Sequence, residues 1–579
     1  MPIPQLRSQA TPECTQEPAT RTSALGLWSV RQYWALEFRH LLIVVGFCAF
    51  FMHYAYMPLA VTDVWGHIAY GNWILDHGHL PTEEPFVDLA AGVPIVDTAW
   101  LGQVLLAIAG RQGNPECYRL LHAVTVLLIY IVLARAFFLQ CQHPGIAVLG
   151  ALAVWFGARH RNAIIRPEMF GSLCFAVLIL LLVQIDDRRS RLQSDFDCKS
   201  EPARLSWACW IGIPLLFVAW ANLHGSYIVG LVLVGSYAAG QCIETLWQTR
   251  SVTAVLRDRR FCRWMLLSTL ALIATLINPY GLGLLINTLS FSANPNLKSI
   301  MEWYPLVITS TEWIPMAGSW VLLTVVLRHS RTRVTAGDVL QVAVFGLATC
   351  ERVRMISWYA PAVMLALTPH LADVLRQMAA HAAKSRATPG LIAVLFRRKS
   401  FSTAMVAGLV VWTTIALSPV RQAVLSRTAT STTSLYSHLT PLAATRFLRE
   451  HPPQGLVAAP QWWGDWLVWD GPKGLQLLTT TNSVHVVPPN VWNDYLAMAR
   501  GAPELGQILI RYRATTVVIC KELQPRLIKA IKPLVGWTTV YEDEMCIILE
   551  LKSVTRDVQA RVPPDRNVET AAGRNEVLK

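Results

Sequence analysis

The chain has 579 residues, of which 53% are hydrophobic and 15% charged, and its formal net charge is +13. A soluble globular protein usually carries about a quarter charged residues and is less than half apolar. The composition therefore excludes a soluble enzyme, a disordered chain and a disulfide-rich secreted domain. The 22 tryptophans and the basic charge are typical of a membrane protein with aromatic interface belts and basic cytoplasmic loops. Nucleic-acid binding is disfavoured, because the basic residues lie in clusters between apolar runs and not on one soluble face.

The N-terminal segment, residues 1–40, is polar and has no short apolar core with a cleavage site, so we expect a cytoplasmic segment and no signal peptide. Residues 41–419 contain apolar runs near the roughly 20 residues that cross a bilayer, and they predict about eleven transmembrane helices. The predicted spans are residues 41–59, 115–139, 145–158, 167–185, 206–223, 225–247, 265–285, 314–328, 336–350, 355–373 and 401–419.

The loops between the spans predict the orientation in the membrane. Lysine and arginine number five in Asp186–Arg204 and six in Arg376–Lys399, whereas the first long loop, residues 60–114, has only Arg111. Basic loops stay in the cytoplasm. We therefore expect a multi-pass protein of the inner (cytoplasmic) membrane, with a cytoplasmic N-terminus, an outer first loop and everything after residue 419 outside.

The last part of the chain predicts an extracytoplasmic α/β domain over residues 420–552, because short helical and strand-like patterns alternate there. The predicted helices and strands are Leu442–Glu450, Gly455–Ala459, Leu475–Thr479, Thr515–Cys520, Leu523–Leu534, Trp537–Tyr541 and Met545–Leu551. No glycine-rich phosphate loop follows a strand, which argues against nucleotide binding. Five tryptophans of this domain either offer aromatic faces to sugars or form a packed core, namely Trp462, Trp463, Trp466, Trp469 and Trp492. Residues 553–579 are polar, and we expect a disordered tail.

The first outer loop carries the strongest candidate for a functional residue. Asp63 directly follows the first predicted span, so its carboxylate is expected at the outer membrane boundary. If a helix starts there, Asp63 is its N-cap and His67 lies one turn on, on the same face. A cap without any chemistry is the alternative. Further acidic residues follow at Glu83, Glu84, Asp88 and Asp97, before a short apolar segment from Trp100 to Ile108 that predicts a helix lying in the membrane interface.

Other polar residues gather at the outer ends of later spans. They are Arg159, His160, Arg161 and Arg166, Asn222 and His224 in Trp-Ala-Asn-Leu-His-Gly, Asn278 in Asn-Pro-Tyr-Gly, Glu302 in Glu-Trp-Tyr-Pro, and Arg352 and Arg354. Ionisable groups at membrane depth are costly, which makes them functional candidates. Acidic and basic groups at one face suggest a phosphate bound by arginines beside a carboxylate base. Interfacial salt bridges between loops are the alternative.

The order of these motifs resembles the GT-C superfamily of membrane glycosyltransferases. The resemblance rests on a first span followed by Asp63, an amphipathic helix, an extended acidic loop, an interfacial helix and a second span. The segments DVWGHIAYGNWILDHGHLP, WANLHGS, LINPYGLGLL and EWYP are similar to a bacterial group within it. The resemblance covers most of the chain, including the C-terminal α/β domain.

The resemblance implies an enzyme that transfers a sugar from a polyprenyl-phosphate-linked donor at the outer membrane face, to a glycan, lipid or protein acceptor. Asp63 matches the acidic residue that deprotonates the acceptor, with His67 as helper and Glu84 or Asp97 as a second carboxylate. Ala99 stands where this group would have an acidic residue. Arg159, Arg161, Arg166, Arg352 and Arg354 would hold the lipid phosphate. Some relatives need a divalent cation, although no cluster here has metal-ligand spacing. An inactive scaffold of the same fold and a lipid or solute transporter are the alternatives.

Overall fold

The computed structural model describes residues 35–111, 114–185, 207–384, 399–420 and 435–552. Within them the chain is mostly α-helical and ends in a four-stranded sheet flanked by short helices. This confirms the predicted class of an α-helical polytopic membrane protein with a C-terminal α/β region. The predicted disordered tail at 553–579 and most of the N-terminal segment lie outside the described residues, and the domain boundaries and the number of spans stay predictions.

The helices before the sheet region number fifteen among the described residues. They are α1 (Phe38–Ala55), α2 (Val64–His77), α3 (Trp100–Gly110), α4 (Glu116–Cys141), α5 (Pro144–Asn162), α6 (Glu168–Ile185), α7 (Trp207–Leu223), α8 (Tyr227–Thr249), α9 (Val252–Arg257), α10 (Arg259–Ala274), α11 (Leu282–Phe291), α12 (Trp313–His329), α13 (Ala336–Glu351), α14 (Ile356–Lys384) and α15 (Phe401–Leu417). Four of the described helices, α1, α4, α6 and α8, are long and apolar enough to cross a membrane by themselves. The chain is thus an integral membrane protein.

The chain divides into two compact units. In the first unit the described residues are 35–48 and 399–414, where the two-residue strands β1 (Leu36–Glu37) and β2 (Lys399–Ser400) pair antiparallel. The second unit holds the described residues 49–384 and 415–552. All the predicted site residues lie in this second unit.

The predicted span at 265–285 is wrong, because the helix breaks in its middle. Helix α10 ends at Ala274, and α11 begins only at Leu282. Asn278 folds the chain between them, since its side chain donates to the Thr275 carbonyl at 2.8 Å and accepts from the Tyr280 amide at 2.7 Å. Pro279 has no amide hydrogen for a helix, and Gly281 has a φ of 53°, in the left-handed region. Apolar composition alone conceals this break.

The C-terminal region packs six helices around its sheet. The helices are α16 (Leu442–Glu450), α17 (Gln461–Asp470), α18 (Ser483–Val486), α19 (Pro489–Arg500), α20 (Leu505–Arg511) and α21 (Pro525–Ile531). The strands are β3 (Leu456–Ala458), β4 (Ala514–Cys520), β5 (Trp537–Glu542) and β6 (Cys546–Leu551), in the order β3-β4-β6-β5. β3 runs parallel to β4, and the other two pairs are antiparallel.

The predicted strand at Leu475–Thr479 is wrong. This segment forms only an isolated bridge to β3, in which Val457 donates to the Gln476 carbonyl and accepts from the Leu478 amide, each at 2.9 Å. The run is short because Gly474 turns the chain before it with a φ of 74°. The Thr480 amide, bonded to the Ser483 hydroxyl at 2.9 Å, turns the chain after it.

Helix α2 is held between α3 and the α/β region, and this fixes the start of the first loop. Trp65 of α2 is fully buried in one hydrophobic core with Trp463 and Trp466 of α17. On the other side Gly71 lets α3 approach closely, since a Cβ there would lie 2.2 Å from the Gln103 carbonyl oxygen. Trp463, Trp466 and Trp492 are at most 1% exposed, so these three tryptophans form packed core and present no face to a sugar.

Candidate functional site

Asp63 takes the predicted N-cap position of α2, but its side chain makes no capping hydrogen bond. Its backbone is already helical, with φ −60° and ψ −10°, and its carbonyl accepts from the His67 amide at 3.0 Å. The carboxylate contacts Arg166 instead, with Arg166 Nε 2.8 Å from Oδ1 and 2.7 Å from Oδ2. A charged partner outweighs a cap here, because charge-assisted hydrogen bonds are about twice as strong as neutral ones.

Arg166 belongs to a group of three arginines and three carboxylates, which we call the arginine–carboxylate cluster. Its members are Asp63, Arg161, Arg166, Glu168, Glu302 and Arg354. They come from the end of α5, the start of α6, the segment between those helices, and the segments preceding α2, α12 and α14. The fold therefore brings together five residues predicted from the sequence, together with Glu168.

Glu302 is the acidic residue with the most partners in this cluster. It accepts from Arg166 Nη1 at 3.0 Å and from Arg354 Nη1 at 3.1 Å, and it also contacts Arg161. Glu168 contacts Arg161 and accepts from Arg354 Nη2 at 3.4 Å. Each of the three arginines thus contacts Glu302 and one further carboxylate.

The cluster keeps its charges despite being largely buried. Burial favours the neutral form of Glu302, but Arg161, Arg354 and Arg166 outweigh it and lower the pKa of that carboxyl below its usual range. Burial likewise opposes the charge on Arg166, yet Asp63 and Glu302 more than compensate and raise its pKa. The three positive and three negative charges cancel, so the cluster is neutral as a whole.

Two of the predicted phosphate-binding arginines do not reach the carboxylates of this cluster. Arg159 lies over the ring of Phe156, 4.6 Å from its centroid, and donates to the carbonyl of the same residue at 2.7 Å. Arg352 lies over the ring of Trp303 at 5.0 Å, beside Arg354 at 4.6 Å. Arg352 is therefore adjacent to the cluster, whereas Arg159 is half-buried and separate from it.

Three histidines lie near the cluster; His67 and His224 are half-buried, and His485 is exposed. Burial lowers the pKa of His67, and it lowers that of His224 to about 4. His485 comes from α18 of the α/β region and interacts electrostatically with Arg354 and Glu302. At neutral pH the rings of His67 and His224 can exchange hydrogen bonds with a ligand but add no charge.

A second group of polar side chains links His67 to Asp97 through Gln103. Gln103 Nε2 of α3 lies 3.3 Å from Nδ1 of His67 and donates to Oδ1 of Asp97 at 3.1 Å. The same Asp97 oxygen also accepts from the Ala99 amide at 2.9 Å. Burial raises the pKa of Asp97 to about 6. Oδ2 of Asp97 and Oε1 of Gln103 are buried and have no hydrogen-bond partner. Both acceptors thus lie inside the protein without a protein donor.

The remaining predicted residues hold the surrounding segments in place. Glu84 accepts from Tyr70 at 2.5 Å and from Asn482 at 2.7 Å, which ties the first loop to α2 and to the α/β region. Asn222 accepts from Trp100 Nε1 at 3.0 Å and donates to the Ile277 carbonyl at 2.9 Å. Asn278, described above, shapes the break between α10 and α11.

Four of these polar residues were not predicted from the sequence: Gln103, Glu168, Asp465 and His485. Glu168 had one available signal, since a glutamate directly after Arg166-Pro167 opens an apolar helix. Asp465 is 1% exposed, accepts from the Thr481 amide at 3.1 Å and lies against Gly66 of α2. His485 and Asp465 belong to the α/β region, and no sequence pattern predicts that they lie close to α2.

A cavity opens beside the cluster, between α4, α5, α6 and α14. Its empty volume, including the part open to solvent, is about 610 Å³. Arg161, Arg166 and Glu168 line it at the junction of α5 and α6. Its other walls are mostly apolar, with Val126, Ile129, Leu133, Val154, Met169, Phe175, Ala176, Trp358 and Pro361. A cluster of ionised side chains therefore borders a mostly apolar cavity.

No residues in the described part of the chain form a metal centre, since no group of three or more His, Cys, Asp or Glu side chains is arranged to hold an ion.

The comparisons with known proteins establish the fold. No protein-family model and no curated protein sequence matches the chain. The chain is similar to the crystal structure of the Archaeoglobus fulgidus oligosaccharyltransferase in the apo form, with 12% identity and a TM-score of 0.51 over 86% of this chain and 73% of that one. It is also similar to the oligosaccharyltransferase AglB of the same organism, in complex with an inhibitory peptide and a dolichol-phosphate, with 11% identity and a TM-score of 0.50 over 87% and 73%.

A weaker likeness is to ArnT from Cupriavidus metallidurans bound to undecaprenyl phosphate, with 14% identity and a TM-score of 0.46 over 91% of this chain and 98% of that one. The likeness to the two oligosaccharyltransferase structures shows that this chain has a GT-C-type membrane fold. This confirms, for the fold, the resemblance inferred from the sequence.

Proposed function

We propose that this protein is an integral-membrane glycosyltransferase that moves a sugar from a polyprenyl-phosphate-linked donor to an acceptor. The observation that carries the proposal is the ion pair between Asp63 and Arg166. It joins a carboxylate at the start of the first loop to an arginine group beside an apolar cavity. Transfer from a sugar phosphate requires a base for the acceptor and a site that stabilises the leaving phosphate.

The arginines suit the leaving group of this reaction. Attack by an acceptor hydroxyl at the anomeric carbon breaks the bond to the phosphate oxygen, and the electron pair leaves with the polyprenyl phosphate. Arg161, Arg166 and Arg354 are permanently charged and can hold that phosphate in bidentate fashion. The apolar side chains that line the cavity between α4, α5, α6 and α14 would contact the first isoprene units of the lipid. AglB, which has a similar fold, was solved with a dolichol-phosphate.

Asp63 would act as the base. In the proposed reaction its carboxylate takes the proton of the acceptor hydroxyl as the new glycosidic bond forms, and the ion pair with Arg166 holds that carboxylate in place beforehand. A positioned general base contributes about 10²–10⁴-fold to such a rate. His67 and the two unpartnered oxygens of Asp97 and Gln103 would bind hydroxyl groups of the sugar or the acceptor.

The proposal includes the orientation derived from the loop charges. The first loop and the α/β region would lie outside the cytoplasmic membrane, where the acceptor is a glycan, a lipid or a protein. The proposal assigns no metal ion to the reaction.

An inactive scaffold of the same fold is the second candidate, and one observation favours it. The six charges of the arginine–carboxylate cluster cancel one another without any ligand, as they would in a purely structural ion-pair network. A scaffold would keep the cluster but would neither hold nor consume a lipid-linked sugar.

The test is mass spectrometry of lipids that copurify with the wild type, Asp63→Asn and the control Asp76→Asn. Asp76 lies on α2 as well, but its side chain is 66% exposed and pairs only with Arg111. We expect a polyprenyl-phosphate sugar to be enriched in Asp63→Asn alone, because the donor still binds but is not consumed. If all three preparations carry only bulk phospholipid, the enzyme proposal fails and the scaffold is favoured.

A further inference from the structure

The carboxylate of Glu302 is contacted by three arginines. Arg161 comes from the end of α5, Arg166 from the segment before α6, and Arg354 from the segment before α14. All three donate to the two oxygens of Glu302. Several arginines gathered on one compact anion is the arrangement that proteins use for phosphate groups.

The cluster has no spare positive charge for a ligand. Its three arginines are already balanced by Asp63, Glu168 and Glu302. A sugar phosphodiester bound in addition would leave a net negative charge in a largely buried site, at a high electrostatic cost. Binding of such an anion therefore requires one of the three carboxylates to withdraw.

The three carboxylates differ in how easily they can withdraw. The Glu168 side chain is 10% exposed and lies in the first turn of α6, where the helix dipole stabilises a negative charge. The Asp63 side chain is 19% exposed and contacts only Arg166 of the three arginines. The Glu302 side chain is 26% exposed, the most of the three, and contacts all three arginines, so its withdrawal towards solvent frees hydrogen-bond donors of all three.

The segment that carries Glu302 is short and lies beside solvent, and Trp303 within it packs against Arg352 and Arg354. Residues Met301–Trp303 form one short 3-10 turn between Ile300 and Tyr304, which both have extended backbones. Met301 is 78% exposed, so solvent lies directly beside the turn. The preceding residues stay anchored, because the Asn296 side chain donates to the carbonyls of Val484 and Val487 at 3.1 and 3.0 Å.

We propose that Glu302 competes with the phosphate of a polyprenyl phosphate for the same three arginines, and that the lipid displaces it from them when it binds. The inference rests on the proposed function, since it takes a polyprenyl phosphate as the ligand. Glu302 is thus a competing internal anion that sets the affinity for the lipid, and it prevents the arginines from binding other anions when no donor is present.

The test compares the binding of farnesyl phosphate, a short polyprenyl phosphate, to the purified wild type, Glu302→Gln and Glu312→Gln. Glu312 is a matched control, since its side chain is also 26% exposed and its partner is His160 at 3.7 Å. The amide keeps the shape of the side chain but removes the competing charge. We expect Glu302→Gln to bind farnesyl phosphate at least about tenfold more tightly than the wild type, and Glu312→Gln to bind it equally.

Equal or weaker binding by Glu302→Gln would overturn the inference, because Glu302 would then only support the arginines. That outcome leaves the proposed function standing as long as the wild type binds farnesyl phosphate. Absence of binding in all three proteins instead removes the proposed function, and this inference with it.

A second measurement uses the wild type alone and does not depend on the stability of a variant. Hydrogen exchange of the amides in residues 301–304 should become faster when farnesyl phosphate is added, because the turn loses its three ion pairs. Unchanged or slower exchange on saturation with the lipid contradicts displacement of Glu302.

Discussion

At the scale of single residues, Arg166 joins the two halves of the proposed chemistry. Its Nε contacts Asp63, and its Nη1 contacts Glu302. A guanidinium can do both because its five hydrogens point in fixed, divergent directions, whereas an ammonium is one compact charge on a flexible stem. The position therefore requires arginine specifically, and not merely a positive charge.

Arg166→Lys should weaken farnesyl phosphate binding by about tenfold or more, because lysine cannot hold Asp63 and a phosphate together. The affinity of the purified protein for farnesyl phosphate measures the effect. Arg159→Lys is the control, since Arg159 contacts Phe156 and no carboxylate of the cluster. Equal losses in both variants would mean that general positive charge, and not this geometry, attracts the lipid.

Asp97→Asn should stabilise the protein at neutral pH but not at pH 4. The pKa of Asp97 rises from 3.8 to about 6 on folding because the carboxyl is buried. Its proton stabilises the folded state below pH 4, and that contribution is lost as the pH rises through 6. Asparagine keeps an acceptor oxygen for Gln103 and Ala99 without the charge. We expect a gain on the order of 1–3 kcal/mol at pH 7.5.

Thermal unfolding of wild type and Asp97→Asn at pH 4 and at pH 7.5 measures this difference. Asp76→Asn, at an exposed position of α2, should show the same small difference at both pH values. A gain for Asp97→Asn that does not change between pH 4 and 7.5 would contradict the raised pKa.

The polar residues of the site were predictable to different degrees. Asp63, Arg166 and Glu302 stand out because charge is rare beside apolar spans. That they touch one another was not predictable, since each contact joins segments more than 100 residues apart. Asp465 and His485 escaped prediction for the opposite reason. In a polar α/β region an acidic residue or a histidine is ordinary, and only the fold brings these two to α2.

At the scale of elements, the position of α2 decides where Asp63 and His67 lie. One side of α2 packs on α3 at Gly71, where an added Cβ would lie 2.2 Å from the Gln103 carbonyl oxygen and 2.8 Å from Cβ of Ala107. Because α3 also carries Gln103, the contact between these two helices sets the distance from His67 to Asp97.

Gly71→Ala should destabilise the protein by about 1–3 kcal/mol, since the added methyl forces α2 and α3 apart. A lowered melting temperature measures the loss. Gly235→Ala in α8 is the matched control, because nothing lies within 4 Å of a Cβ there. Alanine should be neutral or slightly stabilising at that helical position. If both variants melt like the wild type, the close approach of α2 and α3 is not needed for stability.

The elements themselves follow from local pattern wherever one pattern dominates. Strand β4 and helix α4 lie within two residues of their predicted bounds, because a run of β-branched residues and a long apolar run leave few alternatives. The break at Asn278 and the lone bridge at Leu477 depend on turns. There a few hydrogen bonds outweigh the composition of the flanking residues.

At the scale of the whole molecule, the α/β region and the first loop stabilise each other. Asn482 donates to both Tyr70 and Glu84 at 2.7 Å, and Trp65 is buried against Trp463 and Trp466. A substantial part of the core of α2 therefore belongs to residues about 400 positions later in the chain. The C-terminal α/β region therefore helps to hold the first loop in its conformation.

Removing residues 435–552 should loosen α2 while leaving the long apolar helices in place. Hydrogen exchange of residues 64–77 should approach that of an unprotected segment in the truncated chain, whereas α4 and α6 keep their protection. Fully retained protection of α2 would show that α3 alone holds it. The milder variant Asn482→Leu should speed exchange of the same amides to a smaller extent.

The indole rings around Trp65 give this arrangement an optical signature. The Trp65 ring centroid lies 4.4 Å from that of Trp469 and 4.8 Å from that of Trp466. Rings this close share their electronic excitations, so their near-ultraviolet circular dichroism depends on their mutual orientation. Trp65 belongs to α2 and the other two to α17, so the seating of the helix that follows Asp63 can be followed by spectroscopy in the unlabelled protein.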